Sequence, residues 1–172
     1  MSKPVRGRAE KRLAVYPGTF DPPTLGHLDI IRRGLDVFDE IVVAVTDNAD
    51  KRTLLSAKER VRLLRAATQD LQGVSVEPYS GLTIAFARRR GACAILRGIR
   101  TMSDFDYESH LALTNRTVGG IETVFVLADA RLSYISSSLI KEIAGLGGDV
   151  SAMVPPAVLQ ALQKRLSGLK EA

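Results

Sequence analysis

The residues best suited to chemistry lie in one stretch, Tyr16 to His27, which reads Tyr-Pro-Gly-Thr-Phe-Asp-Pro-Pro-Thr-Leu-Gly-His. The apolar run Leu13 to Tyr16 leads into it and an amphipathic pattern follows it, so we expect a strand, a tight loop and a helix. Thr24 is a suitable N-cap, which places Gly26 and His27 in the first helical turn. Free backbone N–H groups and the positive end of the helix dipole meet there, so this turn can bind phosphate.

His27 and Thr19 would complete such a phosphate site. The imidazole of His27 offers a hydrogen-bond donor beside the helix N-terminus, and Thr19 offers a hydroxyl from the facing loop. A simpler interpretation also fits, in which the stretch is an ordinary turn between a strand and a helix and His27 only caps the helix. This histidine alone does not separate the two interpretations.

Arg97 and Arg100 form a second candidate anion site around Gly98, after an apolar run. Their guanidinium groups can hold phosphate oxygens in a forked geometry. The alternative is a surface turn in which these arginines pair with Asp104 or Asp106. The sequence leaves both interpretations open.

The serine-rich segment 132–138 precedes another helical pattern and forms a third candidate. Hydroxyl and N–H groups at a helix N-terminus can bind an anion, and Lys141 would add positive charge. The alternative is a serine-rich N-cap without a ligand. Lys51, in the polar loop after the second strand, can neutralise a substrate phosphate or simply be solvated.

These loops share features suited to phosphate, and no protein nucleophile accompanies them. The sequence has no protein-ligand metal signature, no G-x-x-x-x-G-K-[ST] loop, no nucleophile elbow and no Cys/His pair. This combination favours direct in-line attack of one phosphate on another, catalysed by positioning and charge stabilisation.

Apolar β-branched runs alternate with amphipathic helical patterns along the chain. Strands are predicted at Leu13–Tyr16, Ile41–Val45, Val74–Glu77, Ala94–Leu96 and Thr123–Leu127. Helices are predicted at Leu28–Phe38, from Ser56, at Thr83–Arg90, from Thr101 to about Arg116, from about Ser137 to Ala144, and from Pro155 through Leu166. The order predicts a single-domain α/β fold, a Rossmann-like doubly wound parallel five-stranded sheet with helices on both faces. Ligands bind beyond the carboxyl ends of such strands, where the candidate loops lie.

Composition limits the class of protein. The 172 residues suffice for one domain, which we place at 13–166 between a basic, disordered tail at 1–12 and a C-terminal tail at 167–172. The longest apolar runs are too short to cross a bilayer, and the basic tail lacks the apolar region of a secretory signal. The single cysteine, Cys93, lies in an apolar run, so we expect it to be buried in a cytoplasmic protein.

The charge balance favours phosphorylated partners. A net charge of +5 suits either nucleic acid or small phosphorylated ligands. Aromatic residues make up only 5% and tryptophan is absent, so platforms for stacking bases are scarce. We therefore expect no nucleic-acid partner and no membrane partner.

Two motifs resemble those of the nucleotidyltransferase superfamily. Thr24-x-Gly26-His27 is similar to its T/H-x-G-H motif, and Ile135-Ser136-Ser137-Ser138-x-x-Lys141 to its later I-S-S-[ST]-x-x-[RK] motif. Four segments more narrowly resemble the bacterial phosphopantetheine adenylyltransferase family: Tyr16–Pro22, Arg97–Arg100, Asp104–Glu108 and Gly148–Val150. The resemblance extends from about Leu13 to Leu166.

This resemblance implies transfer of AMP from ATP to 4′-phosphopantetheine, which gives dephospho-coenzyme A and pyrophosphate. It implies Mg²⁺ bound mainly through the ATP phosphates, and a cytoplasmic homohexamer that coenzyme A inhibits. His27 and Thr19 would contact the reacting phosphates, with His27 stabilising the transition state. The implied ATP site comprises Thr19, Phe20, His27, Gly98, Ile99, Arg100, Glu108, Leu132, Ser133, Tyr134, Ile135, Ser136, Ser137 and Ser138. The implied phosphopantetheine site comprises Thr19, Lys51, Thr83 and Arg97.

Two other functions remain as alternatives. The nearer one is another adenylyl- or cytidylyltransferase, for example one acting on nicotinate mononucleotide. The other is a non-catalytic nucleotide sensor or a basic RNA-binding domain on the same fold.

Overall fold

The computed structural model describes residues 11–47 and 53–170, and its centre is a sheet of five parallel strands. The strands are β1 (Leu13–Gly18), β2 (Glu40–Thr46), β3 (Val74–Tyr79), β4 (Ala94–Ile99) and β5 (Glu122–Leu127), in the spatial order β3-β2-β1-β4-β5. The helices are α1 (Leu25–Leu35), α2 (Ala57–Thr68), α3 (Thr83–Arg89), α4 (Met102–Gly119), α5 (Ser137–Gly145) and α6 (Pro156–Lys170). The predicted Rossmann-like α/β fold is confirmed.

Alternating side chains along the strands build one core on each face of the sheet. In β2, Ile41 and Val43 pack with apolar residues of α1 and α2, whereas Val42 and Ala44 pack with Phe86 of α3 on the other face. Such strands are covered on both faces, which explains the continuous apolar run of β2 in the sequence.

A third apolar cluster lies beyond the sheet, between α2, α5 and α6. Leu63 of α2, Ile140 of α5 and Leu162 of α6 are almost completely buried in it, together with Leu55 from the segment before α2. This cluster fixes the N-terminus of α5 relative to the sheet, and that helix end belongs to the site described below.

The helix starts follow from local sequence. Thr24, Ser56, Thr101 and Ser136 are the N-caps of α1, α2, α4 and α5, and each side chain accepts a hydrogen bond from the third residue of its helix. In α2 the Glu59 carboxylate also accepts from the Ser56 backbone N–H, at 2.8 Å, which completes the predicted capping box.

Several element ends differ from the sequence prediction. Strand β4 continues to Ile99, because Arg97, Gly98 and Ile99 pair with Phe125 to Leu127 of β5. Helix α4 extends past Arg116 to Gly119 and stops where Gly120 adopts a left-handed φ of 60°. Helix α6 continues past Leu166 to Lys170, so residues 167–170 are helical.

The expectation that Cys93 is buried is wrong. Cys93 lies just before β4, and its side chain is exposed although its backbone N–H donates to the Leu13 carbonyl at 2.8 Å. In the predicted basic tail, Lys11 pairs with Glu40 and Arg12 pairs with Asp39, and the remainder of that segment lies outside the described residues. Within 11–47 and 53–170, no helix combines the length and apolar character that a membrane span requires.

Candidate active site

A cavity of about 500 Å³ opens at the carboxyl edge of the sheet, above β1 and β4. These two strands are neighbours at the point where the strand order reverses, and ligands bind at this point in open α/β sheets. The lining residues come from the end of β1 and its loop, the first turn of α1, the end of β4, and the N-terminus of α5. The residues that the sequence predicted for the site and that belong to this lining are Thr19, Phe20, His27, Arg97, Gly98, Arg100, Glu108, Ile135, Ser136, Ser137, Ser138 and Lys141.

His27 is held in one orientation by Thr24. The Thr24 backbone N–H donates to Nδ1 of His27 at 3.0 Å, while the His27 backbone N–H donates to Oγ1 of Thr24 at 3.2 Å. Because Nδ1 accepts a hydrogen bond, the neutral ring carries its proton on Nε2. His27 therefore caps the helix and also offers an N–H donor on the cavity side, so the two interpretations of this residue are compatible.

The imidazole of His27 is neutral near pH 7. Burial, the largest cause, and the positive charges of Arg100 and Arg97 together lower its pKa from 6.5 to about 4. A bound anion would oppose the effect of these arginines, because it stabilises the protonated ring.

Phe20 shapes the floor of the cavity from an unusual backbone conformation. Its φ of 53° is left-handed, and its ring is buried edge-on between Tyr16 and His27, with a centroid distance of 4.9 Å to His27. Gly18 permits this arrangement, since a Cβ there would lie 2.8 Å from the Phe20 ring. A strained conformation at such a position is typical of functional sites.

Two helix N-termini face the cavity. In α1, Leu25 N–H donates to the Met153 carbonyl and His27 N–H donates to Oγ1 of Thr24. The Gly26 N–H between them has no partner among the described residues. In α5, Oγ of Ser136 accepts from Leu139 N–H, and Oγ of Ser137 donates to the Pro22 carbonyl at 2.8 Å. Ser138 is exposed, so its hydroxyl is available to a ligand in the cavity.

Arg97 is already engaged with the protein. Its guanidinium donates to both carboxylate oxygens of Glu108 and, at 2.7 Å, to the Pro17 carbonyl. Arg97 and Glu108 are assigned to different subsites by the family resemblance, yet here they form one ion pair at the cavity wall. Glu108 is 8% exposed, so this carboxylate is held mainly by Arg97.

Arg100 makes the contact of the surface-turn alternative and also lines the cavity. It pairs with Asp104 at 3.1 Å, as in the surface-turn alternative, and it donates to the Ile135 carbonyl at 2.8 Å while lining the cavity. Arg97 and Arg100 are three positions apart and point to different neighbours, so they do not form a single fork.

Five expected site residues lie outside the cavity lining. Ile99 is buried at the end of β4, and Leu132 packs against the cluster around α5. Ser133 and Tyr134 lie in the turn between Leu132 and α5, with Tyr134 exposed. Thr83 begins α3, where its hydroxyl lies 2.9 Å from that of Tyr79. Lys51 lies outside the described residues, and the neighbouring Thr53 lines the cavity.

Sequence reasoning missed the buried polar residues that hold the loops. Asp21 is 3% exposed and accepts from Leu54 N–H and Leu55 N–H at 2.8 and 2.9 Å, and from Lys141 at 3.2 Å. Arg60 is 2% exposed and donates to three backbone carbonyls. Arg60 lies among charged residues in α2, so only the helical register, with Leu63 and Leu64 buried next to it, could have indicated an inward position.

Carboxylates at the cavity already have protein partners. Asp21 pairs with Lys141, Asp104 with Arg100, and Glu108 with Arg97. Within the part of the chain that the structure describes, no group of three or more histidine, cysteine, aspartate or glutamate residues could hold a metal ion.

Comparison with known proteins identifies the family. Residues 15–143 match the cytidylyltransferase-like family. The chain is 49% identical over 155 residues to the phosphopantetheine adenylyltransferase of Moorella thermoacetica, covering 90% of this chain and 97% of the relative. It is 48% identical over 153 residues to the phosphopantetheine adenylyltransferase of Prochlorococcus marinus, with 88% and 98% covered.

A solved structure with low sequence identity shares the fold. It is a bifunctional NMN adenylyltransferase/ADP ribose pyrophosphatase from Francisella tularensis complexed with AMP and a manganese ion, with a TM-score of 0.70 and 15% identity. The match covers 92% of this chain and 52% of that chain. On the strength of its relatives, the chain is a nucleotidyltransferase and belongs to the phosphopantetheine adenylyltransferase family.

Proposed function

We propose that this chain transfers AMP from ATP to 4′-phosphopantetheine, giving dephospho-coenzyme A and pyrophosphate. The observation that carries the proposal is the position of His27, whose ring is oriented by Thr24 and which lines, with Gly26 at the N-terminus of α1, a cavity that Arg100 and the N-terminus of α5 also line. The family relationship supports the choice of acceptor, because relatives of nearly the same length carry this name.

The reaction needs no covalent intermediate with the protein. An oxygen of the acceptor phosphate bonds to the α-phosphorus of ATP, the bond from that phosphorus to the bridging oxygen breaks, and pyrophosphate leaves with the electron pair. The attacking phosphate is already anionic, so no general base is required. His27 and the Thr19 hydroxyl donate hydrogen bonds to the α-phosphate oxygens as negative charge develops on them.

The two substrates would approach from opposite sides of His27. The triphosphate lies across the N-terminus of α1, with its β- and γ-phosphates near Ser138, the N-terminus of α5 and Arg100. The acceptor phosphate would bind at Arg97, and the family resemblance adds Lys51, which lies outside the described residues. Since Arg97 already pairs with Glu108, the acceptor phosphate must share this guanidinium with a carboxylate. Phe20 keeps the ring of His27 in place between the two substrates.

The residues present fit a Mg²⁺ ion bound through ATP. Its charge would neutralise the triphosphate and assist departure of pyrophosphate. Asp21, Asp104 and Glu108 are paired with cationic side chains, so the protein contributes positioning around the nucleotide. We also propose, from the family relationship alone, a cytoplasmic homohexamer that is inhibited by coenzyme A.

A turnover assay tests the function. Purified protein is mixed with ATP, Mg²⁺ and 4′-phosphopantetheine; we expect release of pyrophosphate and a product with the mass of dephospho-coenzyme A. Nicotinate mononucleotide serves as the control acceptor and should yield no pyrophosphate. Turnover with the control acceptor alone would contradict the proposal, and retention on RNA without pyrophosphate release would favour a binding protein.

A further inference from the structure

Arg60 is a buried cation without a carboxylate partner. The residue is 2% exposed, and within the described residues no carboxylate lies at ion-pair distance from its guanidinium, since Asp21 pairs with Lys141. Burial lowers its pKa, an effect that the more distant charges of Asp21 and Asp47 oppose. Burying a charge against neutral acceptors is unfavourable, so a stabilising purpose alone explains this residue poorly.

The three acceptors of Arg60 share one location, the carboxyl edge of the sheet. Nε donates to the Leu55 carbonyl at 3.1 Å, and Nη1 donates to the Thr46 carbonyl at 3.0 Å and to the Thr19 carbonyl. Thr19 follows β1, Thr46 ends β2, and Leu55 precedes α2. One side chain therefore joins three segments that come together beneath the cavity.

Asp21 joins two of the same segments, the loop after β1 and the segment before α2. Its carboxylate accepts from the Leu55 N–H, whose carbonyl is bound by Arg60, so Leu55 is fixed through both of its backbone groups. Thr19 and Asp21 also flank Phe20, the residue with the left-handed backbone. Because both neighbours are anchored, the ring of Phe20 stays against His27.

We propose that Arg60 is a positioning residue for adenylyl transfer. Without touching a substrate, it fixes the backbone of Thr19 and of Leu55, and through them the position of the Thr19 hydroxyl, the Phe20–His27 contact and the wall that begins at Thr53. This proposal rests on the proposed function for its kinetic consequences. It adds to that function a residue outside the cavity lining on which the geometry of the reacting groups depends.

The chain offers a matched control on the same helix. Arg65 of α2 is more exposed than Arg60 and donates to one backbone carbonyl instead of three, that of Val76 in β3, at 2.9 Å from Nη2. Val76 lies inside a strand and away from the cavity, so Arg65→Met removes an arginine–carbonyl contact without disturbing the cavity floor. Arg60→Met and Arg60→Lys are the test variants, the latter keeping the charge and losing the fork.

The kinetic test separates the acceptor from ATP. For Arg60→Met we expect kcat/KM for phosphopantetheine to fall by about 10²-fold, the loss associated with a small displacement of reacting groups. The dissociation constant for ATP, from titration calorimetry, should stay within about twofold of the wild-type value, because Arg100 and the N-terminus of α5 are not held by Arg60.

Chemical rescue tests the guanidinium itself. Methylguanidinium added to Arg60→Ala should restore part of the rate, and methylammonium should not. Arg65→Met should keep wild-type kinetics.

A second measurement does not depend on activity. The chain has only two histidines, so the imidazole C–H signals of His27 can be assigned by NMR. A displaced Phe20 ring changes the ring-current shift of His27, so Arg60→Lys should move these signals and Arg65→Met should not. Wild-type kinetics and unmoved His27 signals in a folded Arg60→Met protein would overturn the proposal, as would equal losses in Arg65→Met or failure of Arg60→Lys to fold. Absence of turnover in the wild type would instead contradict the proposed function, while the imidazole signals still test Arg60.

Discussion

Thr24 and His27 exchange two hydrogen bonds at the N-terminus of α1, from Thr24 N–H to Nδ1 and from His27 N–H to Oγ1. This exchange specifies the tautomer with the proton on Nε2. We predict that nitrogen NMR of the free protein at pH 7 shows a neutral imidazole of this tautomer, with a protonation midpoint of about 4. A protonated ring at pH 7, or a proton on Nδ1, would contradict the structure.

The same shift predicts how stability depends on pH. The unfolded chain protonates this imidazole near pH 6.5 and the folded chain only near pH 4, so the unfolded state holds more protons between these values. The contribution of His27 to the free energy of unfolding is therefore complete above pH 6.5 and declines as the pH falls towards 4. Urea unfolding at several pH values gives the free energy of unfolding as a function of pH. We expect this free energy to rise with pH between 4 and 6.5 in the wild type, and the slope to be smaller in His27→Asn by up to about 1.4 kcal/mol per pH unit. Equal slopes would mean that the histidine titrates normally.

Removal of the His27 side chain should impair the chemical step. We expect His27→Ala to lower kcat by about 10²–10³-fold, the effect of losing one preorganised donor to the reacting phosphate. The KM for ATP should change less, because Arg100 and the N-terminus of α5 remain. His110, which is exposed on α4, provides the control variant His110→Ala with unchanged turnover. Near-normal kcat in His27→Ala would remove this residue from the mechanism.

Two serines at the start of α5 should have separable effects. Ser136 caps the helix through Leu139 N–H at 3.1 Å, so Ser136→Ala should lower the free energy of unfolding by about 1 kcal/mol. Ser138 is exposed at the cavity, and Ser138→Ala should leave stability unchanged while raising the KM for ATP by about tenfold, the loss of one hydrogen bond to a charged group. Denaturant unfolding and steady-state kinetics on both variants check this contrast, which would be disproved if each variant changed both quantities equally.

The fold and part of the site could be predicted from local sequence. Thr24, Ser56 and Ser136 act as caps through residues three positions away, so their roles are written in short segments. The apolar run of β2 likewise indicated a strand buried on both faces. In contrast, the pairing of Arg97 with Glu108 joins β4 to α4 across a register that only the folded sheet defines.

Long-range contacts account for the remaining differences between the sequence prediction and the structure. Arg97 and Gly98 interrupt the apolar pattern of β4, and their membership of the strand depends on pairing with β5. Asp21 contacts Leu55 across 34 positions and Lys141 across 120 positions, distances at which a sequence pattern carries no signal. Arg60 and Cys93 show that residue type alone is a poor guide to burial.

Gly98 should be required for packing between β4 and the helix that carries His27. A Cβ at this position would lie 2.6 Å from Cγ1 of Ile30 on α1. We expect Gly98→Ala to lower the free energy of unfolding by about 1–3 kcal/mol. Combining it with Ile30→Ala should cost less than the sum of the two single changes. As a control, Gly145→Ala meets no atom within 4 Å and should change stability by less than about 0.5 kcal/mol. Additivity of Gly98→Ala and Ile30→Ala would contradict the packing.

The central claim is that the acceptor phosphate attacks the α-phosphorus directly, with no bond to the protein. The most direct test uses ATP made chiral at the α-phosphorus with sulfur and an oxygen isotope, followed by determination of the configuration of the dephospho-coenzyme A analogue. A single in-line displacement predicts inversion at phosphorus. Retention would require two displacements and hence an adenylylated side chain, and would contradict the account.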